Sequence, residues 1–229
     1  KRQASPGTPW RMGSTKEQDF SWRTNTSVDA IRLFTLDANG FPVSSSVYGI
    51  NLLWVEIADD EDDKRVIQYT NTQGELILKK VQNTAAPDGA GHTGWLSTYY
   101  VYDDLGQLRV VIPPMAVDSL VSASWSSTTS TSAAFANESY YRYSYDNRGR
   151  MIEKRVPGKG LESMVYDNQD RLVGFQDANM AAGTPKKWLY TKYDALGRVV
   201  MTGLVNSDLT RASIQATLDA TAVLSLIHI

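Results

Sequence analysis

Tyr145-Asp146-Asn147-Arg148-Gly149-Arg150-Met151 has the spelling of a strand that ends, turns and comes back. Ahead of it, Tyr141, Tyr143 and Tyr145 fall on one face of an alternating run, and Arg142 and Ser144 fall on the other. That is the period of a β-strand. Asp146 can accept the backbone N–H two residues on and cap a turn. Gly149 supplies the positive φ that closes a type I turn with a bulge. Arg150 and the apolar residues after it start the return strand.

The spelling recurs. Tyr102-Asp103-Asp104-Leu105-Gly106-Gln107-Leu108 and Tyr193-Asp194-Ala195-Leu196-Gly197-Arg198-Val199 repeat it, and Tyr166-Asp167-Asn168-Gln169-Asp170-Arg171-Leu172 repeats it with Asp in place of Gly. Random order predicts roughly one Tyr-Asp pair in a chain of this composition, and there are four, so the repeat is real. Leu36-Asp37-Ala38-Asn39-Gly40 and Thr70-Asn71-Thr72-Gln73-Gly74-Glu75-Leu76 keep the spacing and lose the Tyr. Each copy reads as one hairpin tip. The Asp170 copy is expected to be tighter or differently shaped, because Asp tolerates positive φ less well than Gly. Single hairpins are barely stable in water, so an array that buries aromatic faces against neighbours is expected. The fold class read from the residues is therefore all-β, an array of antiparallel β-hairpins.

The stretches between the copies fit. Asn51 to Ile57 and Leu76 to Val81 read as strands, and Ile112-Pro113-Pro114 ends another, since Pro cannot donate to a ladder. Ser119 to Ala134 is rich in Ser and Thr and reads as a loop in the place of a lost repeat. One short C-terminal helix is expected from Leu209 to Ala222, capped by Asp208, with Ile214, Leu218 and Ala222 on one face. The expected divisions are a disordered or non-native segment over 1–19, the hairpin region over 20–205, a helical segment over 206–222 and a non-native tail over 223–229.

Composition narrows the function. Charged residues make up 21% of the chain and the net charge is −2, with no basic stripe of the kind nucleic acid requires. There is no cysteine, which excludes disulfides, thiol catalysis and cysteine-ligated zinc. No apolar run reaches the length of a membrane span. The chain starts at Lys1 and shows no signal peptide, and it reads as an internal fragment of a longer product.

Four features invite a chemical reading, and each has a plainer one. Gly89-Ala90-Gly91-His92-Thr93-Gly94 matches G-x-G-x-x-G, but Pro87-Asp88 precedes it and a strand-like run from Leu96 follows, so it reads as a loop. Asp59-Asp60-Glu61-Asp62-Asp63 lacks the alternation of a calcium loop and reads as a solvated hairpin tip, partly neutralised by Lys64 and Arg65. His92 is the one candidate base for a Ser-His-Asp arrangement with Ser97, and nothing in the spacing brings them together. The repeated Asp103, Asp146, Asp167 and Asp194 read as serial turn caps rather than metal ligands. No catalytic, cofactor-binding or metal-binding residue is assigned, no cofactor is expected, and the chain is not expected to be an enzyme.

Several longer runs resemble the Rhs/YD-repeat family of bacterial proteins. They are Gly91 to Gly106 continuing to Pro114, Tyr145 to Pro157, and Lys187 to Arg198, and the resemblance covers roughly Phe20 to Ala222. It implies a spiral β-shell that encloses a C-terminal cargo, commonly a toxin domain, in an exported or surface-displayed protein. The family's core region carries a self-cleaving aspartyl protease motif and follows the repeats. No such motif occurs here, so the resemblance implies shell upstream of the core. Its partners would be neighbouring repeats and a cargo domain of the same polypeptide, with surface glycans as the partner of an alternative adhesin or carbohydrate-binding reading. Nucleic acid is not expected as a partner, and neither is a membrane span in this fragment.

Overall fold

A computed structural model describes residues 1–4, 12–13 and 16–220. The chain divides into two units, Lys1–Tyr141 and Arg142–Ile229.

The first unit runs through β1 (Arg2–Gln3), β2 (Gln18–Thr24), β3 (Arg32–Leu36), β4 (Pro42–Val47), β5 (Trp54–Asp59), β6 (Arg65–Thr70), β7 (Leu76–Gln82), β8 (Trp95–Tyr102) and β9 (Leu108–Ile112). Three helices follow, α1 (Pro114–Ser122), α2 (Ser127–Ser130) and α3 (Ala133–Ser139). The strands β1-β2-β5-β6-β7-β8-β9 lie side by side in that order, all antiparallel, and β3 and β4 form a separate hairpin. Alternation decides which face is buried: Trp95, Ser97, Tyr99 and Val101 of β8 point inward. One row crosses five strands in register, Val55 to Tyr69 to Leu78 to Tyr99 to Ile112, and all five side chains are fully buried. Burying each is worth about 2 kcal/mol of transfer free energy, and the row fixes the register, because a one-residue slip would turn it to solvent. Ile31, Leu53, Ala116, Val117, Leu120, Ala136 and Tyr140 complete this core.

The second unit is a simple meander of β10 (Tyr141–Tyr145), β11 (Met151–Val156), β12 (Gly160–Tyr166) and β13 (Leu172–Gln176), then α4 (Ala178–Ala182), β14 (Lys187–Tyr193), β15 (Val199–Asn206) and α5 (Arg211–Ala220). Each strand pairs antiparallel with the next. Its core is thin. Among the described residues, Val165 and Trp188 are its fully buried hydrophobics. Val199, Val200, Met201 and Leu204 of β15 are exposed on both faces of the strand, and among the described residues β15 pairs with β14 alone. The all-β class and the antiparallel hairpin array read from the sequence are what the chain folds into.

The helical content departs from expectation. Ser119 to Ala134 is not a loop: α1 begins at the second proline of the pair, and α2 and α3 follow. Pro114 sits in the first turn of α1, where a missing N–H costs nothing, so the pair that ends β9 also starts a helix. Ala116, Val117 and Leu120 turn one face of α1 into the core, and Ser132 caps α3 by accepting from the Phe135 N–H. The C-terminal helix is thus not alone, and it starts later than expected. α5 starts at Arg211 and is capped by Thr210, whose Oγ1 accepts from the Ser213 N–H at 3.2 Å, instead of by Asp208. Ala222 and the tail 223–229 lie outside the described residues. Of the segment 1–19, residues 5–11 and 14–15 also lie outside them, while Arg2 and Gln3 pair with Asp19 and Gln18. The Arg2 guanidinium reaches Glu17 and Asp19, which gives this short strand an anchor that apolar periodicity does not reveal.

Candidate functional site: hairpin tips, a buried histidine and a cleft

The tips share one hydrogen-bond scheme. In Tyr145–Met151, the Asp146 N–H donates to the Arg150 carbonyl at 3.0 Å and the Gly149 N–H donates to the Asp146 carbonyl at 2.9 Å. The Asp146 carboxylate accepts from the N–H groups of Arg148 and Arg150. The same four bonds close the tips at Asp103, Asp167 and Asp194. They also close the weaker copies at Asp37 and Asn71. Gly149 and Gly197 have φ of 75° and 77°, as a hairpin tip requires. The acidic cluster is a hairpin tip, as its sequence reads, and it is also a seventh copy: Asp60 to Lys64 makes the identical turn with Asp63 at φ 56°. Its Asp-x-x-Asp-Lys spelling keeps the cap and hides the glycine position.

The Asp170 copy is not tighter. Asp170 adopts φ 61° and its N–H makes the standard bond to the Asp167 carbonyl at 3.1 Å. Its carboxylate accepts from Arg148 and Arg150 of the neighbouring tip, both at 2.9 Å. Those contacts offset the cost of left-handed backbone, which Asp bears better than most residues.

Neighbouring tips are joined by a repeated device. Continued to the tip, the strand register sets Arg150 opposite Tyr166 and Arg171 opposite Tyr193. Each guanidinium stacks on the facing Tyr ring, at 5.0 and 4.8 Å, and donates to the carbonyl of the next Asp, at 3.1 and 3.3 Å. Each Tyr hydroxyl returns a bond to the residue after the Arg: Tyr166 to the Met151 carbonyl at 2.7 Å, and Tyr193 to the Leu172 carbonyl at 3.0 Å. Each Arg also binds its own Asp through Nε at 2.7 Å. The Asp146 carboxyl is pushed up by burial, yet its bonds to Arg150 outweigh this and hold it below the ordinary carboxylate range. Arg198 makes the bond to its own Asp194 at 2.7 Å, and its side chain is 74% exposed.

The structure does bring His92 and Ser97 together, with His92 Nδ1 2.8 Å from Ser97 Oγ. Chemically it is the wrong pair. Tyr99 Oη accepts from the Arg32 N–H at 3.3 Å and lies 3.4 Å from His92 Nε2. A nucleophilic serine must reach its substrate. Ser97 is 1% exposed, out of reach of any substrate. Burial, then the Lys80 and Arg32 charges, push the His92 pKa down to about 4. The G-x-G-x-x-G loop around His92 leads into β8 and not into a helix; its Gly91 carbonyl accepts from the buried Lys80 Nζ at 2.6 Å.

Two other polar clusters are structural by the same test. Asp29 is buried and takes both arms of Arg23, at 2.6 and 2.7 Å, with Tyr69 Oη donating at 3.0 Å. Burial pushes its carboxyl up, but the bonds from Arg23 and Thr26 prevail and hold it at about 2. In the acidic cluster Asp59 pairs with Arg65, Asp62 with Lys16, and Glu61 accepts from Gln18. Among the described residues no three His, Cys, Asp or Glu side chains are placed to hold a metal ion, and no helix is long and apolar enough to cross a membrane.

The first unit also carries a concave feature. A half-open cleft of about 470 Å³ lies between β3, Tyr48 and the tips at Asn71 and Asp103. Phe34, Tyr48, Tyr100 and Tyr102 line it, together with Glu75, Asp103 and Asp104. Burial raises the pKa of Tyr48 and Tyr102, and the nearby Glu75 carboxylate raises both further. Only the spelling Asn71-x-x-Gly74-Glu75, with Glu where the four Tyr-Asp tips carry Arg or Gln, hints at this cleft in the sequence.

Antiparallel hairpins joined tip to tip define the class, a β-hairpin repeat array. No family model and no curated protein matches the chain. Among solved structures, it is similar to a crystal structure of TcdB2-TccC3, with a TM-score of 0.50 at 13% identity over 81% of this chain. A second structure, TcdB2-TccC3-TEV, aligns at a TM-score of 0.49 and 13% identity over 77%. The chain spans about a tenth of the length of either. At this identity the likeness is one of fold: the chain has an Rhs-like, β-sheet-rich repeat fold.

Proposed function

We propose that this chain is a structural segment of an Rhs-type β-shell, serving to enclose a C-terminal cargo domain of the same polypeptide in an exported protein, with no catalysis of its own. The observation that carries the reading is the tip joint. Arg150–Tyr166 and Arg171–Tyr193 link successive hairpins by one rule, and Arg198 presents the same guanidinium to solvent beside a β15 that is apolar on both faces. Such an edge is suited to continuation by another hairpin. The thin core of the second unit supports this, since hairpin arrays draw stability from their neighbours. The burial of Ser97 beside His92 supports the non-enzymatic part.

The test is electron cryomicroscopy of the complete gene product that contains this chain, with limited proteolysis of its C-terminal region. A closed wall of hairpins around a protease-resistant C-terminal domain is the expected result. A solid, cargo-free stalk ending in a surface anchor would overturn it and favour an adhesin.

A further inference from the structure

Glu75 holds the position in its hairpin tip that Arg150 and Arg171 hold in theirs. It directly follows the turn glycine, and the register of β7 with β8 sets it opposite Tyr102, as Arg150 is set opposite Tyr166. At two joints a guanidinium fills the space over the tyrosine ring. At this one a carboxylate stands there instead, and the space is the cleft.

The cleft has the two surfaces a guanidinium needs. One is aromatic, made by Tyr48, Tyr100 and Tyr102. The other is anionic. Asn71 Nδ2 holds one oxygen of Glu75 at 2.6 Å, and among the described residues neither Glu75 nor Asp104 has an ion-pair partner. Asp103 does have one, since Arg109 reaches back to it at 3.2 Å. A planar cation can stack on a tyrosine face and bond a carboxylate in the same plane, which an ammonium does less well, while a neutral sugar can stack and donate to the carboxylate but leaves its charge unpaired. We propose that this cleft binds the guanidinium of an arginine side chain presented by a peptide segment, stacked on Tyr102 and paired with Glu75, so that the ligand completes a joint the chain itself leaves open.

The test is an NMR titration of the 229-residue chain with N-acetyl-arginine amide, with N-acetyl-lysine amide and maltotriose as comparators. A lone side chain has few atoms to contribute, so binding on the order of millimolar is expected. The proposal predicts saturable shifts at Tyr48, Tyr102 and Gly106 with the arginine probe, at least about fivefold weaker binding of the lysine probe, and none of maltotriose. E75Q should weaken arginine binding about tenfold or more. E75R should abolish it, with thermal stability kept or raised, because the new side chain fills the joint. No saturable shift with arginine, equal binding of lysine, tighter binding of maltotriose, or unchanged affinity in E75Q would each overturn the assignment. The wild-type titration decides the matter even if a variant fails to fold.

Discussion

The side-chain amide of Gln215 lies flat against the backbone of Tyr166, its Oε1 accepting from the Tyr166 N–H at 2.9 Å and its Nε2 donating to the Tyr166 carbonyl at 2.8 Å. It thereby imitates a strand at the point where the β12 ladder gives way to a tip. α5 has no buried residue among those described, and this pair and the longer contact from Arg211 to Glu153 are polar attachments that hold it to the sheet. Gln215→Ala should release α5 while leaving the hairpins paired, at a cost of about 1–2 kcal/mol. Hydrogen exchange would check it: faster exchange across 211–220 and at Tyr166, with β14 and β15 unchanged.

Arg150 takes part in a ring stack, a carbonyl bond and two carboxylate bonds, and its side chain is 13% exposed. Arg150→Lys cannot keep the planar fork, so it should cost about 1–3 kcal/mol, nearly as much as Arg150→Ala. Urea unfolding measures this, and a double-mutant cycle with Tyr166→Leu should show coupling of about 0.5–2 kcal/mol. Additive effects would mean that the stack contributes nothing.

Asp170 and Gly197 occupy the same turn position. Asp170→Gly relieves left-handed backbone but gives up two half-exposed ion pairs, so the net change should stay within about 0.5 kcal/mol. Gly197→Ala has no compensating contact and should cost about 1 kcal/mol. Thermal melts of the two variants, compared side by side, test the equivalence of the tips.

His92 makes the first unit sensitive to mild acid. Its folded pKa of about 4 lies below the ordinary 6.5, so between these values the unfolded chain binds the extra proton. Stability is then fully present above pH 6.5 and is lost as pH falls towards 4, by about 3 kcal/mol across the window. His92→Gln keeps hydrogen-bonding capacity without titrating, and its stability should be flat over that range. A wild-type protein equally stable at pH 7 and pH 4.5 would contradict the burial of this ring.

The hairpin array was legible in the sequence because a turn is a local event. Asp146, Gly149 and Arg150 bond within one tip, and five residues suffice to spell it. The partner of each tip was less legible. Arg150 and Tyr166 lie sixteen positions apart and meet only through the β11–β12 register. α1 was hidden for a different reason: Pro113 and Pro114 speak for a strand end and a helix start at once, and serines dilute the periodicity that follows. The Ser97–His92 contact depends on how an irregular loop packs over Lys80, which no spacing rule encodes. The cleft was invisible because it arises from one charge reversal, Glu75, whose meaning depends on the side chain facing it.

Every strand from β6 to β9 pairs with the strand just before it, and so does every strand from β11 to β15. Within these runs no strand waits for a partner from far along the chain. Most of each sheet can therefore be laid down vectorially, one hairpin at a time, as polypeptide emerges from a ribosome or a narrow pore. The loop entropy of each new pairing stays that of a short closure however long the array becomes. A wall of this kind can be lengthened by whole hairpins without making any single assembly step slower.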